Sequence, residues 1–298
     1  MNQNILHALR SVLLERTSLT GLPDGVWKEL SVINTHGTNA IEGNALTLEE
    51  VRTVLTEGMG VAKRTVRELR ETIQHDEAFR SLPGRLERPL DPVTVLELHE
   101  QVFRGILPDA GQWRRVNVLI TGAKHRPPRM EKVPDLVVSL LEGYNRKDVE
   151  GEDVFELASF MHCGFESVHP FIDGNGRIGR LLLNHHLMRR NWPPVSLTLS
   201  DRKEYYQALT EGDENDYARM TGLLTSVMSR SLLTILDSVG TKDDELLPLK
   251  DLEKISGLSA KYLSLRAGQR KLPALMTKGE YLSSRRACSL YKEFVGRS

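Results

Sequence analysis

Apolar residues recur every three or four positions along most of the chain, which is the spacing of helices with one buried face. Helix punctuation supports this pattern, since Thr47 and Glu50 predict a capping box and Gly43 with Asn44 predicts a helix stop. We therefore predict an all-α protein built as a helical bundle. The predicted helices cover about residues 5–13, 25–42, 47–58, 65–82, 91–102, 154–168, 178–188 and 200–209.

Residues 111–128 depart from the helical spacing. Val116, Val118 and Ile120 stand at alternate positions, and a turn signal follows at Thr121-Gly122. Alternation of this kind is typical of a strand with one buried face. The stretch therefore predicts a small β-hairpin inside a helical protein.

The composition changes at Leu246, after the acidic linker 242–245. Basic residues outnumber acidic ones by eleven to four from there to the C-terminus. Residues 246–298 resemble small winged-helix modules of the excisionase kind, so we expect either DNA binding or a docking or dimerisation role. The predicted parts are helices over 249–255 and 259–267, wing strands over 271–274 and 278–282, and a last helix over 283–294.

Length and composition describe an ordinary globular protein. The chain has 298 residues, which suggests roughly two domains, and its formal net charge of zero gives no sign of nucleic acid or a membrane surface as a partner. The two cysteines, Cys163 and Cys288, lie far apart in the sequence and are too few for a disulfide framework. The N-terminus lacks the apolar core of a signal peptide. We expect a cytoplasmic protein without a membrane partner.

The candidate chemistry is concentrated between His169 and Arg180, which read His-Pro-Phe-Ile-Asp-Gly-Asn-Gly-Arg-Ile-Gly-Arg. Gly174 and Gly176 permit backbone conformations that turn successive amide hydrogens into an anion-binding nest at the start of a helix. Arg177 and Arg180 add forked donors that suit phosphate oxygens. The pattern predicts a polyphosphate ligand.

Two further residues of this stretch carry polar chemistry. Asp173 can hold Mg²⁺ against the phosphates, because Mg²⁺ often takes one carboxylate and completes its shell with phosphate and water. His169 can accept a proton near neutral pH. A structural alternative is a helix-to-helix turn with solvated arginines and a core histidine, which would suit each residue alone but does not require the whole ordered set.

These residues resemble the signature of the Fic family, His-Pro-Phe-x-x-Gly-Asn-Gly-Arg-x-x-Arg, at every defined position. The resemblance implies a mostly helical Fic fold that transfers AMP from ATP to a hydroxyl group of a target protein. It implies that His169 is the base and Asp173 the magnesium ligand, that Gly174-Asn175-Gly176 bind phosphate, and that Arg177 and Arg180 clamp the outer phosphates. The alternatives are transfer of another nucleotide, removal of AMP, or a nucleotide-sensing DNA-binding regulator.

Glu42 occupies an unusual position at the end of a predicted helix. A carboxylate there faces the negative end of the helix dipole, an unfavourable placement worth roughly 0.3–1 kcal/mol, so we expect a cation beside it. The pattern Thr38-x-x-x-Glu42-Gly43-Asn44 resembles the inhibitory helix of Fic proteins, in which the glutamate pairs with the last arginine of the signature. The resemblance implies a contact with Arg180. The alternative is a solvated glutamate.

The resemblance also implies a flap at residues 111–128 that binds the target by strand addition, and the alternative is an inert surface hairpin. Its target-binding residues would be Val118, Leu119, Ile120, Thr121 and Gly122. Relatives often carry an asparagine near the adenine base, but Thr210 to Asp213 is one residue too short to supply it.

The predicted organisation is a helical region at 1–110 with the inhibitory helix at about 25–44, a catalytic core at 111–240, and the module at 246–298. Two apolar surfaces have no assigned cover in this arrangement, namely the module and the stripe formed by Leu9, Val12 and Leu13. We therefore expect a homodimer.

Overall fold

The computed structural model describes residues 1–122 and 125–295, and the prediction of a mostly helical protein is confirmed. None of the helices in these ranges is long and apolar enough to cross a membrane. The helices are α1 (Gln3–Arg16), α2 (Asp24–Ile41), α3 (Leu48–Glu57), α4 (Val66–Ser81), α5 (Pro92–Phe103), α6 (Val133–Glu150), α7 (Val154–Val168), α8 (Asn175–Arg189), α9 (Arg202–Gly212), α10 (Ala218–Val239), α11 (Leu249–Ser256), α12 (Ala260–Gly268) and α13 (Arg285–Phe294). The strands are β1 (Leu247–Pro248), β2 (Leu275–Thr277) and β3 (Glu280–Ser283).

The chain forms two compact units that do not follow its linear order. One unit contains residues 1–27, 192–195 and the chain from 224 onward, and the other contains 28–191 and 196–223. The predicted boundaries near residues 110 and 240 divide the chain into domains that are each continuous in sequence. The compact units are discontinuous in sequence because α1, near the N-terminus, packs against α13, near the C-terminus.

The N-terminal apolar stripe is covered within its own unit. Leu9 and Leu13 are fully buried, as are Ile5 and Leu6 beside them, and Val12 is half-buried. The expectation of a homodimer rested in part on this stripe being uncovered, and that part of the reasoning is wrong. Helical periodicity identifies an apolar face but gives no information on which distant helix covers it.

The C-terminal module has two short helices followed by a hairpin and a last helix. β1, β3 and β2 form an antiparallel sheet in that order, with Leu275 opposite Leu282. The predicted wing strands were misplaced, because Lys278 (φ 50°) and Gly279 (φ 82°) form the tight turn rather than part of a strand. Positive φ at both central residues is the requirement of a two-residue hairpin turn.

The second unit is built around α8. Every α8 residue from Asn175 to Met188 is buried except Gly176, so this helix is covered on all sides and opens only near its N-terminus. α7 packs along it, and the short loop between them carries the predicted site. The capping box predicted from Thr47 and Glu50 is present at the start of α3.

The predicted hairpin at 111–128 does not form paired strands in its described part, residues 111–122 and 125–128. Arg114 instead donates to the carbonyl oxygens of Val116 (3.0 Å) and Pro128, and joins the two limbs through its side chain. Pro127 and Pro128 have no N–H group, so the returning limb cannot supply consecutive ladder donors.

Candidate active site

His169 follows the last residue of α7 and adopts a left-handed backbone conformation, with φ 50° and ψ 60°. Its Nδ1 lies 3.3 Å from the carbonyl oxygen of Glu166. A carbonyl can only accept, so Nδ1 carries the proton and Nε2 keeps a free lone pair. Burial lowers the pKa of His169 below the usual histidine value. The imidazole is therefore neutral at pH 7 and can accept a proton.

Arg114 holds the backbone at His169 in this conformation. Its Nε donates to the carbonyl oxygen of His169 at 2.9 Å, and its backbone N–H donates to that of Pro170, also at 2.9 Å. A non-glycine residue with positive φ costs about 1–3 kcal/mol and persists only where its surroundings impose it. Arg114 is 2% exposed and also contacts both limbs of the 111–128 segment, so it joins that segment to the candidate base.

The nest begins at Gly174, which caps α8 with φ 88°. A Cβ at this position would collide with the ring of Phe103, so only glycine fits. The predicted nest at Gly174 to Gly176 uses backbone N–H groups, and the Asn175 side chain has a separate role. Its buried amide accepts from the N–H of Phe171 (2.8 Å) and donates to the carbonyl of the same residue (2.9 Å). The side chain therefore fixes the loop, and only the Asn175 backbone N–H remains to serve a ligand.

Arg180 is buried and lies beside the end of α2. Nη2 is 2.7 Å from Oε1 of Glu42, and Nε is 2.7 Å from Oγ1 of Thr38. Nη1 donates to the hydroxyl of Tyr205 at 3.2 Å. Burial opposes the charge, but Tyr205 and Glu42 raise the pKa of Arg180 above the usual arginine value. The contact expected between Glu42 and Arg180 is therefore present, with Thr38 as a second partner.

The Glu42 carboxylate also lies against Gly176, the second residue of α8. A Cβ placed on Gly176 would collide with Oε1 of Glu42, so the carboxylate touches the helix where its backbone opens. Exposed N–H groups and the positive end of the helix dipole favour an anion at this point. The Glu42 carboxylate places a negative charge beside this helix start, at Gly176.

Asp173 and Arg177 belong to a separate charged cluster. Asp173 Oδ1 accepts from Arg177 at 3.0 Å, and Oδ2 accepts from Arg67 of α4 at 2.6 Å. Glu71 contacts both arginines, at 2.9 Å from Arg67 and 3.1 Å from Arg177. Partial burial would raise the pKa of Asp173, but Arg177 and Arg67 lower it below the usual aspartate value.

The donor set at Asp173 suits one kind of metal ion. No group of three or more His, Cys, Asp and Glu side chains in the described ranges is arranged to hold a metal. A single ionised carboxylate with a side chain 38% exposed, next to an anion nest, fits Mg²⁺ that takes its other ligands from phosphate and water.

A cavity of about 500 Å³ adjoins these groups. Four of the five predicted flap residues line it, Leu119 to Gly122, together with His169 and Gly176. Glu166 also lines it, and burial raises the pKa of this carboxyl to about 8. The far part of the wall is formed by Tyr206, Leu209, Thr210 and Asp213. The cavity therefore extends from Gly176 to the segment from Thr210 to Asp213. This is the segment that the sequence analysis compared with the adenine contact of Fic proteins.

Several supporting residues escaped the sequence analysis. Tyr205 lies on α9, and its hydroxyl contacts both Arg180 (3.2 Å) and Nε2 of His162 (2.9 Å). His99 is 1% exposed and stacked on Phe171, and its Nε2 lies 3.1 Å from the carbonyl oxygen of Asp173. Missed residues whose side chains directly contact the predicted site include Arg67, Glu71, Arg114 and Tyr205.

Comparison with known proteins gives one family. Residues 89–187 match the sequence model described as the Fic/DOC family. The chain is 32% identical over 193 residues to a protein of Nematostella vectensis named protein adenylyltransferase Fic, an alignment that covers 63% of this chain and 45% of that protein. It is 34% identical over 209 residues to protein adenylyltransferase fic-1 of Caenorhabditis briggsae, covering 68% and 41%.

The fold agrees with that assignment. The crystal structure of a Fic domain containing signaling protein from Bacteroides thetaiotaomicron superposes with a TM-score of 0.70 at 26% identity, covering 78% of this chain and 97% of that one. The chain spans less than half the length of the two curated relatives, 45% and 41%.

Proposed function

This chain belongs to the Fic/DOC family, and we propose that it is a protein adenylyltransferase that transfers AMP from Mg-ATP to a hydroxyl group of a target protein. The observation that carries the proposal is the placement of His169 and Gly176 on one cavity wall, with Arg180 held beside the nest. A neutral base, an anion site and a buried cation are the groups that attack on a phosphate requires.

His169 has the defining task in this reaction. Its Nε2 accepts the proton of the target hydroxyl while that oxygen attacks the α-phosphate, and the bond from the α-phosphate to the bridging oxygen breaks. Pyrophosphate leaves, and AMP stays on the target oxygen. The backbone N–H groups at Gly174 to Gly176 and the guanidinium of Arg180 bind the phosphate oxygens in the pose that this displacement needs.

Asp173 would hold the magnesium ion, whose charge stabilises the leaving pyrophosphate. Arg177 is the buried residue that fixes Asp173, since it donates to Oδ1 and lies over the ring of Phe103, with 4.5 Å from guanidinium carbon to ring centroid. We assign Arg177 to orienting that carboxylate. Arg180 is the arginine whose partner, Glu42, overlies the nest.

Residues 118–122 would hold the target segment beside His169. Strand addition draws affinity from main-chain hydrogen bonds, so it tolerates different target sequences. The side-chain bonds of Arg114 and Asn117 secure the ends of this segment at Val116, Pro128 and Met130, and a β-ladder is not needed to do so.

We further propose that the resting protein is self-inhibited. Glu42 contacts both Arg180 and the nest, so its carboxylate occupies space that an outer phosphate of ATP needs. DNA binding through residues 246–298 and a homodimer stay predictions that the comparisons do not support.

The test is transfer of label from ATP labelled at the α-phosphate, to the chain itself and to lysate proteins, in a Glu42→Gly background. Adding His169→Ala should lower transfer by about 10²- to 10⁴-fold, the usual contribution of a general base, and leave ATP binding in place. His36→Ala is the matched control, a half-buried histidine on α2. Undiminished transfer by the His169→Ala protein would refute the assignment.

A further inference from the structure

We propose that Arg67 is a resident cation on Asp173 and occupies the oxygen that a divalent metal ion would take. In the resting chain its Nη2 is 2.6 Å from Asp173 Oδ2. The metal site would therefore open by exchange of a side-chain cation for a metal ion. The inference takes from the proposed function only the role of Asp173 as metal ligand.

The two arginines on Asp173 differ in how firmly they are held. The Arg177 side chain is 4% exposed, packs over Phe103 and has Glu71 as a second carboxylate. The Arg67 side chain is 54% exposed and reaches Asp173 from α4 across the surface. Exposed ion pairs are worth about 0–1 kcal/mol, so this one can be exchanged at little cost. Arg177 remains, and Arg67 is the partner that leaves.

Glu71 keeps the Arg67 guanidinium ion-paired when it moves away from Asp173. Arg67 Nε is 2.9 Å from Glu71 Oε1, one turn away on the same helix. When Nη2 leaves Asp173, the guanidinium keeps this carboxylate and stays charged and paired. Glu71 is 9% exposed and is also held by Arg177, so it does not follow the movement.

Both carboxylate oxygens of Asp173 are paired without a metal ion. Oδ1 faces Arg177 and Oδ2 faces Arg67, so both carboxylate oxygens have a cationic donor. A metal ion therefore competes with one of them. Since Arg177 is buried, the competition takes place at Oδ2, and the charge of Arg67 sets the metal concentration at which the site fills.

The experiment titrates the full chain with Mn²⁺ alone, without nucleotide, and follows free Mn²⁺ by electron paramagnetic resonance. We expect Arg67→Gln to lower the Kd for Mn²⁺ by about three- to tenfold, the range set by loss of one exposed pair and one positive charge. Arg80→Gln is the matched control, because it removes the same charge from α4 at a side chain 56% exposed and ion-paired to Asp76. Its Kd should stay within about twofold of the wild type.

Asp173→Asn identifies the site, since combining it with Arg67→Gln should abolish the gain. Equal affinity in the Arg67→Gln and Arg80→Gln proteins, or weaker binding by the former, would overturn the proposal. Arg67→Met serves if the glutamine variant does not melt cooperatively. Binding of Mn²⁺ is measured independently of AMP transfer. If the chain transfers no AMP but the Kd for Mn²⁺ falls in the Arg67→Gln protein as expected, the result would count against the proposed function alone.

Discussion

Replacing Glu42 with glycine should make the protein faster and less stable at the same time. Glu42 Oε1 is 2.7 Å from Arg180 Nη2 and overlies Gly176. Hydrogen bonds to charged groups are worth about 1.5–3 kcal/mol, and an ATP phosphate must replace this one before it can bind productively. Removing the competitor should therefore raise AMP transfer by about ten- to hundredfold at fixed Mg-ATP.

The stability change has the opposite sign. Breaking a buried ion pair costs about 3–5 kcal/mol, because it leaves a charge unpaired. Arg180 keeps Thr38 and Tyr205 as acceptors, and the Glu42 side chain is 31% exposed, so water can enter. We therefore expect a loss of about 1–3 kcal/mol, which lowers Tm by about 2–4 °C for each kcal/mol in a unit of this size.

The assay measures self-modification and transfer to lysate proteins from α-labelled ATP, together with a thermal melt of each protein. Glu57→Gly is the matched control, because Glu57 is the last residue of α3, Glu42 directly follows the last residue of α2, and each is followed by a glycine with positive φ. Its transfer rate should equal that of the wild type. Equal turnover by wild type and Glu42→Gly at saturating Mg-ATP would refute the inhibitory role and leave the catalytic assignment of His169 intact.

Two further predictions concern the groups around Arg180. Tyr205→Phe removes the hydroxyl 3.2 Å from Nη1 and should weaken ATP binding in the Glu42→Gly background by about three- to tenfold, measured by calorimetry, whereas Tyr144→Phe, which deletes a buried hydroxyl hydrogen-bonded to His186, should not. Burial raises the pKa of Glu166 to about 8 from 4.5, so the native carboxyl keeps its proton where the unfolded one ionises. The contribution of Glu166 to stability is full below pH 4.5 and is lost as pH rises through about 8. Glu166→Gln cannot ionise, so its Tm should rise relative to that of the wild type between about pH 5 and pH 8. A difference in Tm that stays constant over this range would argue against the raised pKa.

Local chemistry was the predictable part of this protein. The stretch from His169 to Arg180 is consecutive, so a loop, a nest and a helix start can be inferred from residue order alone. The capping box at Thr47 and Glu50 is local for the same reason. Helices α6 and α10 were not predicted, although the buried residues of α6 stand at helical spacing.

The supporting contacts were not predictable in the same way. Arg67, Arg114 and Tyr205 reach the site from three distant segments, and nothing in their immediate sequence distinguishes them from solvated or packed residues. The 111–128 segment misled for a different reason. Alternating apolar residues describe an extended backbone, but they do not specify whether its partner is another strand or a guanidinium.

In the resting site, side chains of the chain itself pair the charges of Arg180 and Asp173, and this limits how the site can be regulated. Glu42 provides an anion at Arg180 where the proposed ATP would place a phosphate, and Arg67 provides a cation at Asp173 where the proposed metal would bind. A buried arginine such as Arg180 would otherwise be an unpaired charge in a site built to await a ligand. Both surrogate groups are partly exposed, whereas the residues they contact, Arg180 and the Arg177-held Asp173, are anchored in the fold. Under the two proposals, activation would exchange these two partly exposed side chains for ligand groups of the same charge, with no rearrangement of α8.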